Sequence, residues 1–217
     1  MGGKLDVNIL CHRGWWENAR DKNSIGALER ALDAGYGIET DIRDALGTLV
    51  VSHDPPTGKS HMTFDALLQT YVREGAQSML ALNIKSDGLQ VSVREMLQAY
   101  SVDNYFVFDM SIPDTLGYVR SGMNWAVRLS EYEDGGRLLD GAPFIWLDAF
   151  ERDWYTEAEL SAWLGMGKKV CIVSPELHNR NHENVWQMLE RVPRDFSGNL
   201  YLCTDLVDLA REAFYGG

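Results

Sequence analysis

The sequence predicts an α/β fold, a single (βα)8 TIM barrel spanning residues 1–217 with a small hairpin inserted after the second strand, and three observations lead there. Short apolar runs rich in β-branched and aromatic residues alternate with longer amphipathic stretches from one end of the chain to the other. Eight such runs can be counted, and no Pro/Gly/Ser-rich linker divides the series. Strands that alternate with helices pair in parallel, and eight uninterrupted repeats fit a closed barrel. An open doubly wound sheet is the alternative that the pattern leaves open.

In chain order, the first strand falls at 7–11 and ends at His12-Arg13-Gly14. A helix at 24–34 follows, with Ser24 as N-cap, Ala27, Leu28, Ala31 and Leu32 at helical spacing, and Gly35 where a C-terminal cap belongs. The second strand occupies 37–42. A turn at 44–47 then leads into Thr48-Leu49-Val50-Val51-Ser52, an extra hairpin arm expected to fold His53 back over the barrel mouth. Thr63 opens a helix at 63–74, and the pattern continues with a strand at 79–84, a helix at 89–100, a strand at 105–109, a helix at 113–120 and a strand at 125–129. The fifth crossover, around 135–139, is short and poorly periodic. Strands at 144–147, 169–173 and 200–203 complete the set, with helices at 156–164, 182–191 and 207–214; Thr156-Glu157-Ala158-Glu159 reads as a capping box.

The composition, 45% hydrophobic and 24% charged, is that of a compact globular domain. A formal net charge of −12, from 32 acidic against 20 basic residues, argues against broad electrostatic binding to nucleic acid or an anionic membrane, while leaving room for a local cationic pocket around one phosphate. Cys11, Cys171 and Cys203 each lie inside a strand-like run with no paired spacing, as expected of small core residues in a reducing compartment. Met1 to Asp6 contains no signal-peptide core, Asp6 breaks the myristoylation pattern, and no later run approaches a membrane span. The expectation is a cytoplasmic protein with no stable membrane association.

Parallel barrels place their chemistry where the strands end. Those positions hold His12, Glu39 and Asp41, Asn83 and Lys85, Asp109, Arg128, Asp148, Glu176 and His178, and Asp205. Glu39 and Asp41 are two apart, so both side chains project from one face of the strand while Ile38, Thr40 and Ile42 project from the other. Two carboxylates side by side in a partly desolvated place need a cation, and oxygen donors suit Mg²⁺ or Ca²⁺; an ion pair with Arg13, Arg43 or Lys85 is the alternative. His12 and His53 could divide the proton transfers of an acid/base reaction. Trp15 and Trp16 either wall a glycerol or sugar moiety or simply pack. His178-Asn179-Arg180-Asn181-His182 reads as a loop entering a helix rather than a zinc site, with Glu176 and His178 candidates to touch a leaving group. Glycine-rich phosphate loops, serine-nucleophile elbows and zinc-finger spacings are absent from the sequence.

The order His-Arg-Gly, then Glu-x-Asp within AGYGIETDIRDALGTLVVSHD, then His-Asp after a short hairpin resembles the glycerophosphodiester phosphodiesterase family, within the wider superfamily of phosphatidylinositol-specific phospholipase C-like barrels. The resemblance covers residues 12 to 54 closely and beyond 85 reduces to topology. It implies a hydrolase of lipid metabolism acting on a small glycerophosphodiester-like substrate, with His12 and His53 as the general acid/base pair, Glu39 and Asp41 as ligands of a divalent cation, and Arg13 on the phosphoryl oxygens. Lys85 matches the family's third-strand lysine. Members use the glycerol 2-hydroxyl as an internal nucleophile, giving a cyclic phosphate that water opens. Two positions depart from the family: Asn83 stands where a third ligating carboxylate is usual, offering a neutral oxygen, and Asp21-Lys22-Asn23-Ser24 replaces Pro-Glu-Asn-Thr. Two other readings stay open, a lyase that stops at the cyclic phosphate and a phosphate-binding barrel that has lost chemistry.

Overall fold

The computed structural model describes residues 7–57 and 61–216. The N-terminal hexapeptide read above for targeting signals lies outside them. The chain is an α/β (βα)8 barrel in which eight parallel strands alternate with helices. The strand order is β5-β4-β2-β1-β9-β8-β7-β6, with β3 attached to β2. Within it the chain divides into two compact units, Cys11–Trp125 and Ala126–Gly217 together with Met1–Leu10. β1 (Asn8–His12) runs across that division.

The unit Cys11–Trp125 contains α1 (Ile25–Asp33), β2 (Gly37–Ala45), β3 (Thr48–Val51), α2 (Phe64–Arg73), β4 (Leu80–Ile84), α3 (Gln90–Ala99), β5 (Tyr105–Phe108) and α4 (Ile112–Arg120). β2, β4 and β5 pair in parallel, and Trp125 bridges Val107 in the same sense. Ser24 caps α1 by accepting the Ala27 N–H at 3.3 Å, and Thr63 caps α2 the same way through Ala66 at 3.1 Å. Ala27, Leu28, Ala31 and Leu32 form the buried stripe of α1. β2 runs three residues past the expected end at 42 because Arg43, Asp44 and Ala45 find antiparallel partners in Val50, Leu49 and Thr48 of β3. Leu46 and Gly47, both with positive φ, turn this hairpin.

The other unit contains β6 (Ala126–Leu129), α5 (Leu138–Gly141), β7 (Phe144–Leu147), α6 (Glu157–Gly165), β8 (Lys169–Val173), α7 (Glu183–Leu189), β9 (Leu200–Thr204) and α8 (Val207–Phe214). β6 through β9 pair in parallel in chain order. The capping box on α6 is complete: Thr156 Oγ1 accepts from Glu159 N, and the Glu159 carboxylate accepts from Thr156 N at 2.8 Å. α5 is a single turn, as its weak periodicity implied. Short 3₁₀ turns at Ala19–Asp21, Pro175–His178 and Arg194–Asn199 occupy stretches without helical periodicity. Cys11, Cys171 and Cys203 are buried in β1, β8 and β9. Among the described residues, no helix is long and apolar enough to cross a membrane.

Candidate active site

His12, Arg13, Glu39, Asp41, His53, Asn83 and Lys85 all fall in the unit Cys11–Trp125, whereas Glu176 and His178, put forward to touch a leaving group, lie in the other unit. After His12 the chain turns sharply: Arg13 and Gly14 have φ of +57° and +90°, and Gly14 N donates to Cys11 O. A Cβ on Gly14 would stand 2.8 Å from the Ala27 carbonyl carbon, so glycine is demanded by both conformation and space. Arg13 N donates to Glu39 O at 2.8 Å, which fixes the loop to β2.

Glu39 and Asp41 leave β2 on one face and are 2% and 0% exposed. The parallel register sets Asn83 of β4 opposite Asp41. Asp41 Oδ2 accepts from Asn23 Nδ2 at 2.9 Å, and Arg13 Nε lies 3.0 Å from the same oxygen but is misaligned for a hydrogen bond. Lys85 Nζ is 3.5 Å from Asp41 Oδ1 and 3.4 Å from Asp109 Oδ2. His12 Nε2 is 3.9 Å from Glu39 Oε2. Burial, then the neighbouring Asp41 carboxylate, push the Glu39 carboxyl up to about 7, against the opposing pull of His12, Arg13 and Lys85.

The ion pair held open as an alternative is therefore present, with Arg13 and Lys85 both beside Asp41, while Arg43 serves the hairpin by donating to His53 O. The pairing leaves the cluster incomplete. Among the described residues, Glu39 Oε2, Asp41 Oδ1 and Asn83 Oδ1 are buried oxygens without a hydrogen-bond donor, and such atoms are costly unless something cationic or protic meets them. Two carboxylate oxygens and an amide oxygen are a hard, all-oxygen donor set of the kind that suits Mg²⁺ or Ca²⁺. Among the described residues, no three His, Cys, Asp or Glu side chains stand close enough to hold a metal. A cation here would depend on Asn83 as third donor.

His53 follows β3 in the hairpin. Its Nδ1 is 3.0 Å from Asp54 Oδ1, and its ring is about half exposed. Trp16 Nε1 donates to His12 O at 3.1 Å, and Lys22 Nζ sits 4.6 Å over the Trp16 ring; Trp15 packs edge-on to Tyr36.

Arg128, Asp148, Glu176, His178 and Asp205 lie in the other unit. His178 Nε2 is 2.7 Å from Asp148 Oδ1, which also accepts from Ala149 N. Glu176 is engaged by the hydroxyls of Ser174 and Thr204 and by Asp205 N, so its carboxylate is tied within its own unit. Arg128 pairs with Glu133. Two residues were given no role in the sequence. Asn23, just before the α1 cap, grips Asp41, and its place in the segment that stands for the family's Pro-Glu-Asn-Thr was the available signal. Glu131 accepts three consecutive backbone N–H groups, from Phe150, Glu151 and Arg152, at 2.9 to 3.0 Å. Although its partial desolvation raises the carboxyl, those donors outweigh it and hold the group down at about 2.

No family model and no curated protein matches the sequence. Solved structures do match the fold. A glycerophosphodiester phosphodiesterase from Agrobacterium tumefaciens superposes with a TM-score of 0.68 at 18% identity, over 95% of this chain and 98% of that one. An Oleispira antarctica phosphodiesterase in complex with the product sn-glycerol-3-phosphate gives 0.69 at 13% identity, over 95% and 96%. The chain shares the barrel fold of these two phosphodiesterases. A Ca²⁺-dependent phosphatidylinositol-specific phospholipase C from Streptomyces antibioticus shares that barrel more distantly, with a TM-score of 0.56 at 12% identity over 98% of each chain.

Proposed function

We propose that this chain is a phosphoric diester hydrolase that cleaves a small phosphodiester of the glycerophosphodiester class, using Mg²⁺ or Ca²⁺ held by Glu39, Asp41 and Asn83. The observation that carries the reading is the trio of buried oxygens lacking hydrogen-bond donors on adjacent parallel strands, with an imidazole, a guanidinium and an ammonium beside it. Structures sharing the fold point to the same substrate class, as does the order of His12-Arg13-Gly14, Glu39-x-Asp41 and His53-Asp54 along the chain.

When bound, the divalent cation supplies Lewis-acid polarisation of a phosphoryl oxygen. The chain's own groups do the rest. Arg13 and Lys85 contact the remaining phosphoryl oxygens and offset the charge that grows there as the ester breaks. His12 takes the proton of the attacking hydroxyl, the glycerol 2-hydroxyl of the substrate itself, and His53 returns a proton to the departing alkoxide; water then opens the cyclic phosphate by the reverse assignment.

Phosphorus NMR of the purified protein with glycerophosphodiesters and an aryl phosphodiester, with and without Mg²⁺, Ca²⁺ and a chelator, tests this. Divalent-dependent conversion to a phosphomonoester is expected. A cyclic phosphate that persists identifies a lyase instead, and failure to cleave under any of these conditions leaves a binding barrel.

A further inference from the structure

Asn23, outside the acidic pair, is hydrogen-bonded directly to it. Asn23 adopts the left-handed conformation, φ +59°, immediately before the cap of α1. Its Nδ2 donates to Asp41 Oδ2 at 2.9 Å, and its Oδ1 accepts from Thr40 Oγ1 at 2.7 Å. Its main-chain N–H donates to Arg13 O at 2.8 Å. The Asp41 carboxylate, which only accepts, selects the orientation of the amide, because a flipped side chain would set its oxygen against it, and the Thr40 hydroxyl then steadies the amide by donating to its oxygen. Asp41 is therefore held asymmetrically: Oδ2 has the Asn23 donor and the nearby guanidinium, while Oδ1, 3.5 Å from Lys85 Nζ, is buried without a hydrogen-bond donor among the described residues, as is Asn83 Oδ1 on the neighbouring strand.

We propose that Asn23 is a positioning residue for the cation site: by occupying Oδ2 it fixes the Asp41 carboxylate with Oδ1 presented as the ligand atom. This rests on the reading of Asp41 as a cation ligand. Asparagine answers three demands at once. It tolerates positive φ, it donates to a carboxylate, and it accepts from Thr40. Aspartate at 23 would set two carboxylates against each other, and glycine would keep the backbone while removing the amide. Hydrogen-bonded partners behind a metal ligand contribute 10- to 100-fold in affinity.

Calorimetric titration of the intact protein with MgCl₂ and with CaCl₂, paired with thermal unfolding with and without each cation, tests the assignment. In Asn23→Gly the cation Kd is expected to rise about 10- to 100-fold, and the cation-induced increase in Tm to shrink, while Tm in chelator stays close to the wild type. Thr40→Val, which removes the lock on the amide without touching the left-handed backbone, is expected to weaken binding in the same direction by a smaller factor, and it stands in should Asn23→Gly fold poorly. Wild-type protein that binds neither cation, or that binds them equally well after Glu39→Gln, overturns the cation site itself. Binding that depends on Glu39 but is unchanged in both Asn23→Gly and Thr40→Val overturns the role of Asn23 alone.

Discussion

Replacing Glu39 by glutamine isolates the energetics of one buried proton. Burial and the Asp41 carboxylate raise this group from 4.5 to about 7 in the folded chain. The native protein therefore keeps a proton that the unfolded chain gives up at lower pH. That contribution to stability is fully present below about pH 4.5 and is lost as pH rises through about 7. At about 1.4 kcal/mol per pH unit, the span is worth about 3 kcal/mol. Urea unfolding in chelator, followed through the seven tryptophans, measures it. Between pH 4.5 and pH 8 the stability of wild type relative to Glu39→Gln is expected to fall by about 3 kcal/mol, since other titrating groups are common to both. Added Mg²⁺ or Ca²⁺ reverses the trend by favouring the carboxylate: a cation at 100 times its Kd restores about 2.7 kcal/mol to wild type and less to the variant. Parallel stability curves for the two proteins would refute the argument, because the Glu39 carboxyl would then titrate alike in the folded and unfolded chain.

Three further outcomes are expected. His12→Ala and His53→Ala should each slow phosphodiester cleavage by about 10²- to 10⁴-fold while leaving the urea midpoint near that of wild type, since both rings are partly exposed; unchanged turnover in either removes that imidazole from the reaction. Asn83→Glu should tighten divalent binding in a calorimetric titration by supplying an anionic third oxygen, and unchanged or weaker affinity would place the third ligand elsewhere. Gly14→Ala should lose at least about 2 kcal/mol of unfolding free energy, from positive φ and the 2.8 Å approach to Ala27 together. Equal stability would mean that α1 can draw back.

Elements whose signals are local were legible in the sequence. Ser24, Thr63 and Thr156 cap the helices they were read to cap, and the apolar runs at 144–147 and 169–173 are β7 and β8 to the residue. The length of β2 was not legible, because its last residues are strand only through pairing with β3. At the site, the two-residue spacing of Glu39 and Asp41 gave their shared face and burial. The partners of Asp41 were partly read: Arg13 and Lys85 were weighed as ion-pair candidates, whereas Asn23 lies 18 residues away in a turn whose geometry only the fold defines. For the same reason the Asp148–His178 pair, joining loops 30 residues apart, was seen as two polar strand ends and not as a bonded pair. Glu131 is set by the direction of three amide groups, which side-chain identities do not encode.

Five bonds among the described residues stitch the stretch from 12 to 41 crosswise: Arg13 N to Glu39 O, Trp15 N to Ala27 O, Asn23 N to Arg13 O, Asn23 to Asp41, and Thr40 to Asn23. A chimera that crosses over anywhere inside this stretch would marry a loop to a helix or strand shaped for a different neighbour. Swapping it whole, from the first histidine through the second acid, keeps every one of those ties within the donor parent, and so marks the natural cassette for recombining this barrel with its structural cousins.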